Sequence, residues 1–179
     1  MKNTKILTEI EIGKTFEVAG IKFIKFADVD GCTQAVAKDT LFKSDFGENN
    51  NFAESTILEK LKNDVLPKIE EAVGAENIVE FETDLLSLDG SDKYGKIKSK
   101  ISLPTFDFYR ANVKIFDNYN PDKWWWLATP DSTTDHANDY WVVCVSPSGD
   151  INDGNFSDIS LGVRPFLNFV SSISVSCEE

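Results

Sequence analysis

The chain has 179 residues, 41% hydrophobic and 27% charged, the balance of a globular protein that buries a core without staples. No apolar run approaches the ~20 residues that span a bilayer. A formal charge of -12, from 30 acidic and 18 basic residues, speaks against direct nucleic-acid binding, which rests on Lys and Arg neutralising phosphate. The acids are spread along the chain, which leaves two readings: solubility, or mimicry of a nucleic acid in the basic groove of another protein.

In chain order, the polar start from Met1 through Ile10 lacks the apolar core of a signal peptide, and a cytoplasmic location is expected. Residues 15–18 and 21–26 are rich in β-branched and aromatic side chains, with Ala19-Gly20 between them, and read as strands. Asp30-Gly31 signals a turn into a further strand over 32–37. Asn51 with Glu54 has capping-box spacing, and Ile57, Leu58, Leu61 and Val65 recur on one helical face. Pro67 is expected to end that helix and to open a second over 68–73, closed by Gly74. Residues 78–100 read as loop. Thr105 is the expected N-cap of a short helix over 106–112.

The last third changes character. Trp124-Trp125-Trp126-Leu127-Ala128-Thr129-Pro130 reads as an aromatic strand ended by proline, 131–138 as a polar loop, and 140–145 as a buried strand turned by Ser148-Gly149. A second polar loop over 150–160 and a final strand over 163–170 complete the prediction. Strand alternation sends Trp125 to one face and Trp124 and Trp126 to the other. Three cysteines, Cys32, Cys144 and Cys177, are odd in number and form no Cys-x-x-Cys, so buried thiols in a reducing compartment are expected.

The run Trp125-Trp126-Leu127-Ala128-Thr129-Pro130, a hydrophobic strand, a Ser-Gly-Asp turn, and then Gly162-Val163-Arg164-Pro165-Phe166-Leu167 resemble an uncharacterised domain family of Gram-positive bacteria and their phages. That family reads Trp-Trp-Leu-Arg-Ser-Pro and Gly-Val-Arg-Pro-Ala-Leu; here Ala128 and Thr129 stand in place of its Arg and Ser. The resemblance implies an α+β, C-type-lectin-like fold related to formylglycine-generating enzymes, over a single domain with a mainly antiparallel sheet. It also implies that the protein could ride on a phage particle. Trp125, Trp126 and Arg164 are expected to be structural. Arg164 lies in an apolar strand and needs carboxylate or carbonyl partners there.

Catalytic chemistry is sparse. Neither Cys144 nor Cys177 lies in a recognisable motif, and the single histidine, His136, does not build a His-rich metal centre. No phosphate loop or nucleophile elbow is present. Asp150-Ile151-Asn152-Asp153-Gly154-Asn155 faintly resembles an EF-hand loop, with its glycine one place early and no closing glutamate, so calcium is the one metal to test. The expected function is therefore non-catalytic recognition of a protein or carbohydrate, with no cofactor and no membrane contact. In the lectin-like folds that the resemblance implies, two loops form the recognition face. By position these supply Asp131, Thr134, His136, Asn138 and Tyr140, with Asn152, Asp153, Asn155, Phe156 and Asp158. The alternative is an acidic inhibitor that blocks a basic site on a host protein. Oligomeric state is not legible.

Overall fold

The computed structural model describes residues 3–177; Met1 and Lys2, part of the segment read as non-secretory, lie outside the described residues. The fold is mixed α+β with mostly antiparallel sheets. No helix among the described residues is long and apolar enough to cross a membrane.

Four strands come first: β1 (Asn3–Ile6), β2 (Thr15–Val18), β3 (Ile21–Val29) and β4 (Cys32–Ala37), followed by the short β5 (Phe42–Lys43). Asp30 and Gly31 both take positive φ in the β3–β4 turn, as the sequence predicts. Asn51 caps only a 3-10 turn (Phe52–Glu54), accepting from the Ala53 amide at 3.1 Å. Ser55 caps the helix proper, accepting from the Leu58 amide at 3.0 Å. Helix α1 (Thr56–Lys60) does not stop before Pro67. It runs through a π-helical turn (Leu61–Val65) into α2 (Leu66–Val73), and Pro67 lies in the first turn of α2. The Leu66 amide bonds back to Leu61 instead of Lys62. That widened turn makes room for the proline ring, which would clash in a regular helix. Gly74 ends the rod at φ 89°.

The segment 78–100, expected as loop, contains β6 (Ile78–Val79), β7 (Phe81–Asp84) and β8 (Lys96–Ser99), followed by β9 (Ile101–Ser102). These strands are short, and β6 and β9 are set by pairing with a distant strand, a signal that local periodicity does not carry. Thr105 caps α3 (Phe106–Ala111) through the Phe108 amide at 3.2 Å, and α4 (Val113–Asp117) follows. Then come β10 (Trp125–Pro130), β11 (Trp141–Val145), β12 (Ile151–Asn155), β13 (Gly162–Val163), β14 (Phe166–Val170) and β15 (Ser174–Cys177).

Two of these correct the sequence reading. Residues 150–160 are not all loop, because β12 pairs with β11 across five residues. Polar side chains are tolerated there because β12 is an outer strand. The expected strand over 163–170 is broken at Arg164-Pro165 into β13 and β14, which belong to different sheets. Proline has no amide to give a ladder, so the chain changes sheet at that point.

The larger sheet runs β1-β15-β2-β3-β4-β14-β6, with β9 also on β14; the second runs β12-β11-β10-β13-β5. Both sheets are covered on both faces near their centres. Trp126, Ala128, Val142 and Cys144 join Phe16, Phe23, Phe169 and the α1–α2 rod in one core. Trp125, Leu127, Val143 and Val145 join Ile24, Phe26, Val36, Tyr109 and Phe116 in the other. The alternation expected of the tryptophans holds: Trp125 and Trp126 are fully buried in opposite cores, while Trp124 is exposed. Each buried indole N–H is satisfied, Trp125 by Asn120 Oδ1 at 3.1 Å and Trp126 by the Ser44 carbonyl at 2.9 Å.

Arg164 is fully buried. Its Nε donates to the Ala37 carbonyl at 2.9 Å and its Nη2 to that of Tyr119 at 3.5 Å. Its guanidinium lies 4.5 Å from the Trp125 ring centre and 5.5 Å from that of Phe116. The partners are thus carbonyls and aromatic faces, with no carboxylate in contact among the described residues. Burial pulls its pKa down to about 9, countered by the Asp39 carboxylate, so it stays charged at neutral pH. Gly162, beside it, bonds to the Trp124 carbonyl at 2.8 Å and lies so close to Thr40 that a Cβ would stand 2.3 Å from its methyl.

Arg164→Ala should lower unfolding free energy by about 3 kcal/mol or more in urea titrations, because it opens a cavity and strips buried carbonyls of a donor. Arg164→Lys should recover less than half of that loss, since an ammonium does not stack flat on Trp125.

Candidate ligand-binding face

Strand β10 ends at Pro130, and the loop that follows is held from three directions. Asn50, fully buried, donates its Nδ2 to the carbonyls of Ser132 and Trp141 at 2.9 and 3.0 Å. Its Oδ1 accepts from the Tyr94 hydroxyl at 2.7 Å. A second loop, residues 85–95, lies alongside: the Leu88 amide bonds to the Pro130 carbonyl at 3.0 Å and that of Asp89 to Asp131 at 3.3 Å. Side chains lace the two loops, with Ser91 Oγ to Asp135 at 3.2 Å and Thr133 to Ser91 at 2.6 Å.

The predicted residues fall into separate groups within this frame. His136 pairs through Nδ1 with Asp89 Oδ2 at 2.6 Å and remains more than half exposed. Thr134 accepts from Lys93 Nζ. Asn138 accepts from the Tyr140 amide at 3.1 Å, Asn155 from the Ser157 amide at 3.1 Å, and Asp158 from the Ser160 amide at 2.7 Å. These three shape their own turns. Asn152 accepts from the Asp153 amide at 2.9 Å. Asp131 is half-buried, and burial followed by the Asp153 and Asp89 carboxylates pushes its carboxyl above the usual range.

Tyr140 and Phe156 are joined by backbone (Phe156 amide to Tyr140 carbonyl, 3.0 Å) and by rings with centroids 6.3 Å apart. Phe156 leans on the first core, whereas Tyr140 is 53% exposed and Trp141 is 38% exposed. Of the residues read as a faint EF-hand, Ile151 to Asn155 form β12, whose side chains alternate between faces, and Asp150 precedes it. Gly154 is required where it stands, because a Cβ would lie 2.8 Å from the Trp126 ring.

The sequence reading missed Asn50, Ser87, Asp89, Ser91 and Tyr94. Asp89-Gly90-Ser91-Asp92 has the composition of a turn, but nothing local ties it to residues some 40 positions away. Cys144, the sequence's one thiol inside the motif-bearing third, is buried; burial, then the Asp153 and Asp158 carboxylates, pushes it up to about 12. It stays a neutral thiol at physiological pH, which is the wrong state for a nucleophile.

Burial would raise the Asp89 carboxyl, but the Ser132, Ser87 and His136 side chains around it hold it well below the usual carboxylate range. A folded pKa below the unfolded value of 3.8 means that its contribution is complete above that value and is lost as pH falls below it. Protection factors of the amides at residues 87–91 and 131–136, corrected for the intrinsic exchange rate at each pH, should therefore fall between about pH 4 and about pH 2 more than those elsewhere. In Asp89→Asn the two loops should already be less protected at pH 6, with little further loss in acid.

Comparison with curated proteins and with solved structures gave no match. A family model described as "Domain of unknown function (DUF6273)" matches residues 32–171, which takes in the whole second sheet, β4 and β14 of the larger one, Arg164 and both predicted loops. The chain belongs to this DUF6273 family.

Proposed function

We propose that this chain is a non-catalytic recognition domain with a C-type-lectin-like arrangement, binding a protein or carbohydrate through the exposed aromatics at the start of β11, Tyr140 beside Phe156 on one side of the strand and Trp141 on the other. The observation that carries this reading is the exposure of two large aromatics at the start of β11, on a frame held rigid by Asn50 and the 85–95 loop. Tyr and Trp left half in water are suited to stacking on a sugar ring or filling a partner's pocket at low entropic cost. Asp131, Asp153 and Asp139 supply hydrogen-bond acceptors beside them. The lectin-like assignment itself rests on the Trp-Trp and Gly-Val-Arg-Pro resemblance.

A second reading, an acidic inhibitor of a basic host protein, has its own support: the Asp153 and Asp89 carboxylates lie near enough to raise the Asp131 carboxyl. The two differ in salt dependence. On a glycan array and against a panel of basic proteins, Tyr140→Ser combined with Trp141→Ser should reduce binding at least tenfold while the urea midpoint hardly moves. Binding that survives both substitutions but collapses between 50 and 500 mM salt favours the inhibitor. Loss of stability alongside loss of binding would remove the aromatic face from consideration.

A further inference from the structure

A cleft of about 450 Å³ opens elsewhere on the molecule, between β7 and the segment leading into α3, with β14 and β4 as its floor. The size is in the range of ligand sites. Its apolar side chains are Phe81, Leu103, Phe106, Phe108 and Phe166 inside, set among polar ones such as Gln34, Thr105 and Thr129, with Leu86 and Leu88 exposed at the lip. Two half-exposed leucines beside an aromatic cleft form an apolar surface left without a partner.

Three further features narrow the occupant. All four residues of β7 border the cleft. A strand seen face-on contributes every second residue, so β7 turns its edge toward the cleft. Among the described residues β7 pairs with β8 alone, and an antiparallel pair leaves alternate N–H and C=O groups on its outer side without ladder partners. Second, Asn168 on the floor has a buried Oδ1 with no hydrogen-bond partner, an acceptor awaiting a donor. Third, the rim is acidic. Glu82, Asp84 and Asp107 face two cations: Lys96, at 3.0 and 3.6 Å from the first two, and Arg110, at 3.0 Å from the third. One carboxylate charge is left over, on a chain whose net charge is -12.

We propose that this cleft docks an extended polypeptide segment, which adds as a third strand along β7, drops one apolar side chain onto Phe106 and Phe166, and carries Lys or Arg on its flanks. Main-chain bonds to a free edge supply affinity, and the aromatic pocket with its acceptor supplies selection, the mode of strand-addition modules. The proposal does not rest on the aromatic face around Tyr140, although Leu86 and Leu88 at the lip belong to the 85–95 loop that frames that face.

The probe is a six-residue peptide alternating threonine with one central leucine and ending in lysines, titrated into the 15N-labelled full chain. Amide shifts should move at residues 81–84 and 106–108. Replacing the central leucine by alanine, or N-methylating alternate peptide amides, should weaken binding at least tenfold. Leu86→Gln with Leu88→Gln should do the same without a change in melting temperature, because both side chains are exposed. Asn168→Leu is the sharper variant: its Oδ1 has no partner to lose, so stability should hold or rise while peptide affinity falls at least fivefold. Tyr140→Ser should leave this binding unchanged. Shifts confined to the pocket with β7 amides still, equal binding of the N-methylated peptide, or sensitivity to Tyr140→Ser in place of the cleft variants would each overturn the proposal. So would the absence of any shift at millimolar peptide.

Discussion

A single buried cation joins the two sheets. Arg164 sits where the chain leaves β13 in one sheet and enters β14 in the other, and its guanidinium bonds to the end of β4 while lying on Trp125 of β10. The backbone ladders run up to this junction on both sides: the Ala37 amide bonds to the Pro165 carbonyl at 2.9 Å beside the β4–β14 pair, and that of Leu41 to Val163 at 2.9 Å beside the β5–β13 pair. A charge held this deeply costs several kcal/mol unless its surroundings answer it. Here the answer comes from carbonyl dipoles and two aromatic faces. Those partners belong to β4, β10, α4 and the segment after it, so one side chain links elements of both sheets.

That junction also places the loops. Once β10 is anchored through Trp125 and Trp126 into opposite cores, Pro130 has a fixed position, and the loops 85–95 and 131–140 can be laced together by short polar bonds. Asn50, reaching from the far side of the chain, makes the frame rigid from below. The exposed aromatics Tyr140 and Trp141 are thus carried on a stiff support, which is the condition for a low-entropy contact surface. Strand β7 leaves the sheet just after β6, and this departure opens the cleft above β14 and exposes the strand's outer edge.

Turn residues and helix caps were legible because their chemistry is local: Asp30-Gly31, Gly74 and Thr105 each serve as their residue types predict. The π-helical turn before Pro67 was not, since the same proline is compatible with a helix stop or a widened turn, and packing of Leu61, Val65 and Ile69 into one core selects the continuous rod. Strand β12 was hidden for a related reason. Its Asn, Asp and Gly are turn formers by propensity, yet Gly154 is what lets an outer strand lie against Trp126.

The sequence by itself determined a mix of strands and helices, opposite faces for Trp125 and Trp126, and the need of Arg164 for carboxylate or carbonyl partners, because alternation and the cost of burying charge act on neighbouring residues. It also picked out Tyr140 and Phe156 as aromatics within polar surroundings. Only the tertiary structure decided that Arg164 marks a change of sheet, that Asp89 and His136 pair across loops, and that β7 shows a free edge above an aromatic cleft. Those facts depend on contacts between segments tens of residues apart, and no local pattern encodes which distant partner a strand or a carboxylate will meet.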